Sequence, residues 1–172
     1  MNTSFVKSIY SFSYSSKGVF IIDNNSLKKT KISVSRFNKV TTIKGKILGT
    51  SFVVKSGVEK HFVLKDIPHV RKYETSDRTI YLNNKKIGVL KRDFEVIQDI
   101  NAIGGIPTIL RMDDYKVIYF HPYVRKIDLF CKAELIGYTK KNKDKYDLYT
   151  KSEETLPLLL AICLASFNSS II

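Results

Sequence analysis

Leu156 to Phe167 reads LPLLLAICLASF, and it is the one long apolar run in the chain. Leu, Ala, Ile and Cys occupy every side of it. A helix built from it has no polar stripe to turn to water and must be enclosed by protein or by lipid. Length separates the two. A dozen residues at about 1.5 Å each reach roughly 18 Å, whereas crossing the roughly 30 Å core of a bilayer takes about 20 residues. This favours a core helix at about 155–168 over a C-terminal tail anchor, because Asn168, Ser169 and Ser170 interrupt the run before Ile171 and Ile172. Thr155 is a suitable N-cap, and Pro157 falls in the first turn, where its missing N–H does no harm.

Everything upstream is short and alternating. Strands are expected at Phe5–Tyr14, Val19–Ile22, Lys29–Phe37, Val40–Ile47, Phe52–Lys55 and His61–Lys65. Pro68 and the polar run to Asp77 read as a longer connection, and Asn101–Pro107 as a loop. Further strands are expected at Arg78–Leu82, Lys86–Lys91, Tyr115–Phe120, Lys126–Lys132, Glu134–Lys140 and Lys145–Thr150. Asn83-Asn84 tolerates left-handed geometry and makes the clearest hairpin turn; Asp113-Asp114 has the form of another. Lys29–Phe37 and Val40–Ile47 read as one hairpin, with Ile32, Val34, Ile43 and Ile47 inward and Lys29, Lys31, Lys44 and Lys46 outward. A sheet of about a dozen strands must curl or split, and closure removes its edges. The expectation is therefore one all-β domain over 1–172, a barrel of about twelve antiparallel strands enclosing the C-terminal apolar helix.

Charge is the unusual bulk property. Lys plus Arg number 29 against 16 acidic residues, a net charge of +13. Such a field draws phosphate backbones, acidic lipid headgroups or acidic proteins. Lys outnumbers Arg, and Asn and Ile are abundant, so compositional bias is the competing source of the excess. Between Asp23 and Glu59 no acidic residue occurs, while Lys28, Lys29, Lys31, Arg36, Lys39, Lys44, Lys46 and Lys55 all do. The anion-binding candidates are Lys28, Lys29, Lys31, Arg36, Lys39, Lys44 and Lys46. The two cysteines, Cys131 and Cys163, form no CxxC or disulfide framework, which favours a reducing cytoplasm. No GxSxG, HExxH, GxxxxGK[ST] or GxGxxG is present, and His61, His69 and His121 lack metal-ligand spacing. The chain is therefore expected to be no enzyme, and to hold neither cofactor nor metal.

Three segments also carry a family likeness. KKIGVLKR (Lys85–Arg92) and ELIGYTKK (Glu134–Lys141) each place Gly after Ile and a basic residue at the strand end. The last strand, KYDLYT, leads through Ser152–Thr155 into the apolar helix. Together they resemble the tubby C-terminal-like superfamily, which includes LURP-one-related proteins and phospholipid scramblases. The resemblance implies a roughly twelve-stranded barrel threaded by the helix. Tubby proteins bind phosphoinositides through surface Lys and Arg, and that general mode is what carries over. Scramblases carry an acidic calcium-binding segment before the helix. Here Asp144, Asp147, Glu153 and Glu154 are interleaved with Lys141, Lys143, Lys145 and Lys151, which repel a divalent cation. The expected function is a cytoplasmic barrel, peripheral at an anionic phospholipid surface or holding a phosphorylated headgroup. The alternatives are nucleic-acid binding, with aromatics of Phe5–Tyr14 as stacking platforms, or a protein-interaction module.

Overall fold

The computed structural model describes residues 4–15, 18–23, 29–37, 40–56, 60–61, 74–75, 77–93, 106–121 and 126–167. Among the described residues, fifteen strands precede one helix: β1 (Val6–Ser15), β2 (Gly18–Asp23), β3 (Lys29–Lys31), β4 (Ser33–Phe37), β5 (Val40–Ile47), β6 (Thr50–Ser56), β7 (Lys60–His61), β8 (Glu74–Thr75), β9 (Arg78–Leu82), β10 (Lys85–Asp93), β11 (Ile106–Met112), β12 (Tyr115–His121), β13 (Lys126–Cys131), β14 (Glu134–Asn142), β15 (Lys145–Thr150) and α1 (Leu156–Phe167). A short 3-10 turn, Glu153–Thr155, runs directly into α1, so the turn occupies the place expected for a Thr155 cap.

Thirteen strands form one antiparallel sheet in the order β3-β2-β1-β15-β14-β13-β12-β11-β10-β9-β6-β5-β4, and β7 pairs with β8 apart from it. The N-terminal strand thus lies beside the last one, with Phe12 opposite Tyr146 and their rings stacked 5.1 Å apart. The two ends of this order, β3 and β4, follow one another in the chain with only Ile32 between them, and Ile32 is buried.

That junction corrects the expected hairpin. Lys29–Phe37 is not one strand laid along Val40–Ile47. Its first part, β3, pairs with β2 (Phe20 opposite Lys31), and only Ser33–Phe37 pairs with β5 (Ser33 opposite Lys44). An uninterrupted alternation cannot reveal which side of a strand is paired, and here the paired side changes at Ile32. A second correction concerns Ile106–Met112. This segment pairs residue for residue with Tyr115–His121 across Asp113-Asp114, so the expected loop ends at Ile106, and Pro107 sits in the strand opposite Phe120. The expected strand beyond His61, His69, the Gly104-Gly105 segment and the tail from Asn168 lie outside the described residues.

One face of the sheet packs on α1. Along β13, Ile127 and Leu129 are fully buried while Asp128 and Phe130 alternate outward, as a half-buried strand requires. The same alternation buries Ile43 and Ile47 of β5, Phe52 and Val54 of β6, and Leu148 of β15. The helix meets β5, β6, β9, β14 and β15, and every residue from Leu156 to Ser166 is buried, Pro157 included. No helix among the described residues is long and apolar enough to cross a membrane. The lone hydroxyl in this apolar helix, on Ser166, donates to the Ile162 carbonyl at 2.8 Å, so it is satisfied within its own turn.

Gly137 accounts for the repeated Ile-Gly pattern in β14. A Cβ there would stand 3.3 Å from Leu159 Cδ2 of the helix and 3.3 Å from the Tyr149 carbonyl oxygen, so the missing side chain is what lets helix and sheet approach. Gly88 in β10 plays a matching part, since a Cβ there would meet Met112 Cγ at 2.5 Å.

Candidate anion-binding face

The outward face of the sheet collects cations. Lys44 and Lys46 are exposed on β5, between the buried Ile43 and Ile47. Lys55 is exposed on β6, with its Nζ 5.4 Å from the Tyr81 ring centroid on β9. On β10, Lys91 is exposed next to the buried Leu90, and on β11 Arg111 is exposed between the buried Leu110 and Met112. Pairing register then does what linear sequence does not. Lys91 lies opposite Arg111, and Arg111 lies opposite Lys116 of β12. Directly opposed residues on neighbouring strands stand about 5 Å apart, so three cationic side chains are aligned across three adjacent strands.

A shallow groove adjoins this row. It encloses ≈ 560 Å³ and is lined by Lys86, Gly88, Lys91, Arg111, Met112 and Asp113, among others. Beside it, β10 shifts register against β9 between Lys86 and Gly88, and the Met112 side chain occupies the space that a Cβ at Gly88 would take. Lys and Arg differ as anion ligands: the guanidinium offers a planar fork to phosphate or carboxylate, while ammonium groups act as point charges. A groove with one Arg and two Lys can hold a phosphate monoester or headgroup while its neighbours supply field.

Of the seven anion-binding candidates named in the sequence, Lys44 and Lys46 are the ones whose side chains are described, and both are exposed on this face. Lys29 and Lys31 fall in β3 and Arg36 in β4, at the far end of the strand order from β10–β12 or beyond β5, and Lys28 and Lys39 lie outside the described residues. Lys86, Lys91, Arg111 and Lys116 went unnoticed because acidic neighbours such as Asp93, Asp113 and Asp114 dilute their local charge. The available signal was the two-residue turn at Asp113-Asp114, which by itself sets Arg111 against Lys116.

A different chemistry marks the outer face around β13–β15. Tyr138 and Tyr149 stack with centroids 4.8 Å apart at 5°, and Phe5 meets Tyr138 edge-on at 5.1 Å. Lys151 lies over the Phe5 ring at 5.5 Å and also donates to Glu134. That hydrogen bond and the lysine charge hold the Glu134 carboxyl below its usual range. Asp128, beside Tyr138 in register, is pushed up by burial, against the opposing pull of Lys126, whose Nζ is 3.3 Å from Oδ1. Burial first, then Tyr149 and Asp128, raise Tyr138. No group of three or more His, Cys, Asp or Glu able to hold a metal ion occurs among the described residues.

Comparison with protein-family models, with curated proteins and with solved structures finds no match to this chain.

Proposed function

We propose that the chain is a non-enzymatic barrel of the tubby C-terminal-like kind, which encloses α1 and docks peripherally, from the cytoplasm, on an anionic phospholipid surface. Closure is supported by the strand order. Its two ends are joined through Ile32 alone, and counting β3 and β4 as one strand reduces the thirteen to a ring of twelve. Val6–Tyr10 of β1 and Leu48 after β5 also line a common cleft, although they stand near opposite ends of that order. The buried α1 supplies the apolar filling that a ring of this width requires.

The binding reading rests on the register that aligns Lys91, Arg111 and Lys116 beside the groove, with Lys44, Lys46 and Lys55 on the same outward face. Each basic residue near an anionic leaflet contributes about 1 kcal/mol. Reversing the three aligned cations (Lys91→Glu, Arg111→Glu, Lys116→Glu) removes about 3 kcal/mol of attraction and adds repulsion, a loss in partition of roughly 100-fold or more. Sedimentation with phosphatidylglycerol vesicles measures it, with phosphatidylcholine vesicles as the neutral control. Undiminished binding by a folded triple variant would refute the reading. Nucleic acid is less well served: the outer rings of Phe5, Tyr138 and Tyr149 pack on one another, which leaves little free face for stacked bases. A single-stranded oligonucleotide that binds with a steep salt dependence, where vesicles do not, would reverse that order.

A further inference from the structure

The cleft beside the start of α1 is apolar where a surface should be polar. Among the described residues the exposed large hydrophobics are Val6 (63%), Ile9 (45%), Phe37 (78%) and Leu48 (42%). Three of these four, Val6, Ile9 and Leu48, line one cavity of ≈ 340 Å³ with Leu156 at its floor. Phe37 stands at the other end of β5, next to Val40.

Two local features make this cavity. First, β1 bows away from β15. Lys7 is opposite Tyr149 and Ser11 is opposite Asp147, so four steps along β1 match two along β15. The bow is held by Ser8, whose hydroxyl oxygen accepts from the Tyr10 N–H at 3.0 Å. Second, Leu48 is held over the opening in a left-handed conformation, φ 49, followed by Gly49 at φ 75. Two consecutive residues of this kind suit Asn-Gly, and a Leu in the first place carries strain. Among the described residues the other non-glycine residues with positive φ are Asn83, Asn84, Asp113, Lys132 and Lys143, all polar. Leu48 is the apolar one of this described set, and what it gains there is the cleft.

The mouth carries two ammonium groups, each already paired with a carboxylate, and a third carboxylate. Lys7 pairs with Asp147 at 3.1 Å, Lys151 pairs with Glu134, and Glu153 is the acid on the lining. An ammonium has three donors, so each lysine keeps capacity beyond one carboxylate partner. At roughly 30 Å³ per small heavy-atom group in a liquid, the cavity holds about eleven such groups. We propose that this cleft binds a single-chain amphiphile, its alkyl chain of about ten to twelve carbons against Val6, Ile9, Leu48 and Leu156 and its anionic head at Lys7 and Lys151. It is a separate site from the outer cationic face and does not depend on it.

Calorimetric titration of the intact chain with dodecanoate below its micelle concentration tests this. One saturable site is expected, and it should discriminate against dodecyltrimethylammonium, whose chain is the same and whose head is cationic. Leu48→Asn creates the Asn-Gly pair the turn prefers, so the fold is retained while dodecanoate binding falls about tenfold or more, the factor that follows from losing a leucine contact. Lys151→Gln, which gives up the exposed Glu134 and the contact with the Phe5 ring, weakens dodecanoate severalfold and does not weaken the cationic amphiphile. Absence of a saturable site overturns the proposal. So does equal binding of both amphiphiles, or affinity unchanged in a folded Leu48→Asn variant.

Discussion

Truncating Leu159 probes the central packing of the molecule. Its side chain has no exposed surface, and its Cδ2 lies against the position left empty by Gly137. Leu159→Ala removes three carbon groups, a transfer loss of about 2.4 kcal/mol at about 0.8 kcal/mol each. The cavity left behind carries the cost into the range of about 2–5 kcal/mol. Against a total stability of about 5–15 kcal/mol this is a large share. For a chain of this size about 3 kcal/mol corresponds to a fall in Tm of about 6–12 °C. Urea and thermal unfolding of both proteins measure it. A loss below about 1 kcal/mol would refute the enclosed position of α1, and so would a folded, soluble chain lacking residues 156–172. A second variant adds resolution. Gly137→Ala puts a methyl 3.3 Å from Leu159 Cδ2 and from the Tyr149 carbonyl. In the Leu159→Ala background the first contact is relieved and the second remains. The double variant therefore loses less than the sum of the singles, by about 0.5 kcal/mol or more; strict additivity would refute the contact.

Two further outcomes follow from titratable groups elsewhere in the sheet and helix. Burial raises the Asp128 carboxyl above its ordinary value of 3.8, so the folded state disfavours its charge; native stability is greatest while the group is protonated in both states and falls as pH rises through the raised value. Asp128→Asn should therefore raise Tm at pH 7, with the gain closing as pH drops below about 3.8, and a destabilised Asn variant at neutral pH would contradict this. Cys163 is wholly buried and burial pushes its thiol up, whereas Cys131 is half-exposed. A thiol reagent should label Cys131 in the native protein and Cys163 only at the rate of global unfolding; prompt labelling of both by mass spectrometry would place Cys163 at a surface.

The helix and most hairpins were legible because each depends on local chemistry. LPLLLAICLASF leaves no polar face, and Asn83, Asn84 and Asp113 supply left-handed turn residues between alternating runs. What sequence could not convey was lateral neighbourhood. Lys29 to Phe37 alternates without a break, yet the strand changes partner at Ile32, and no residue type records on which side a backbone is paired. The site was hidden in a related way. Local charge density drew attention to Lys28–Lys46, whereas Lys91, Arg111 and Lys116, the outer two 25 positions apart in sequence, come together only through register. The cleft was less visible still. It arises from two extra residues in β1 and from one leucine in a backbone conformation that side-chain identity would have excluded.

The position of α1 after every strand has a consequence for synthesis. A ribosome adding about 5–20 residues per second makes Phe12 about 7–27 s before its partner Tyr146, 134 residues later (146 less 12). The apolar segment that packs on the inward face emerges after that, so the nascent sheet has inward-facing Ile, Leu and Phe side chains that α1 does not cover until Leu156–Phe167 is made. The last dozen helical residues are in effect the folding signal. Nascent chains arrested before Leu156 should remain protease-sensitive and bound to chaperones, and release of α1 should convert them to the compact protein in one step.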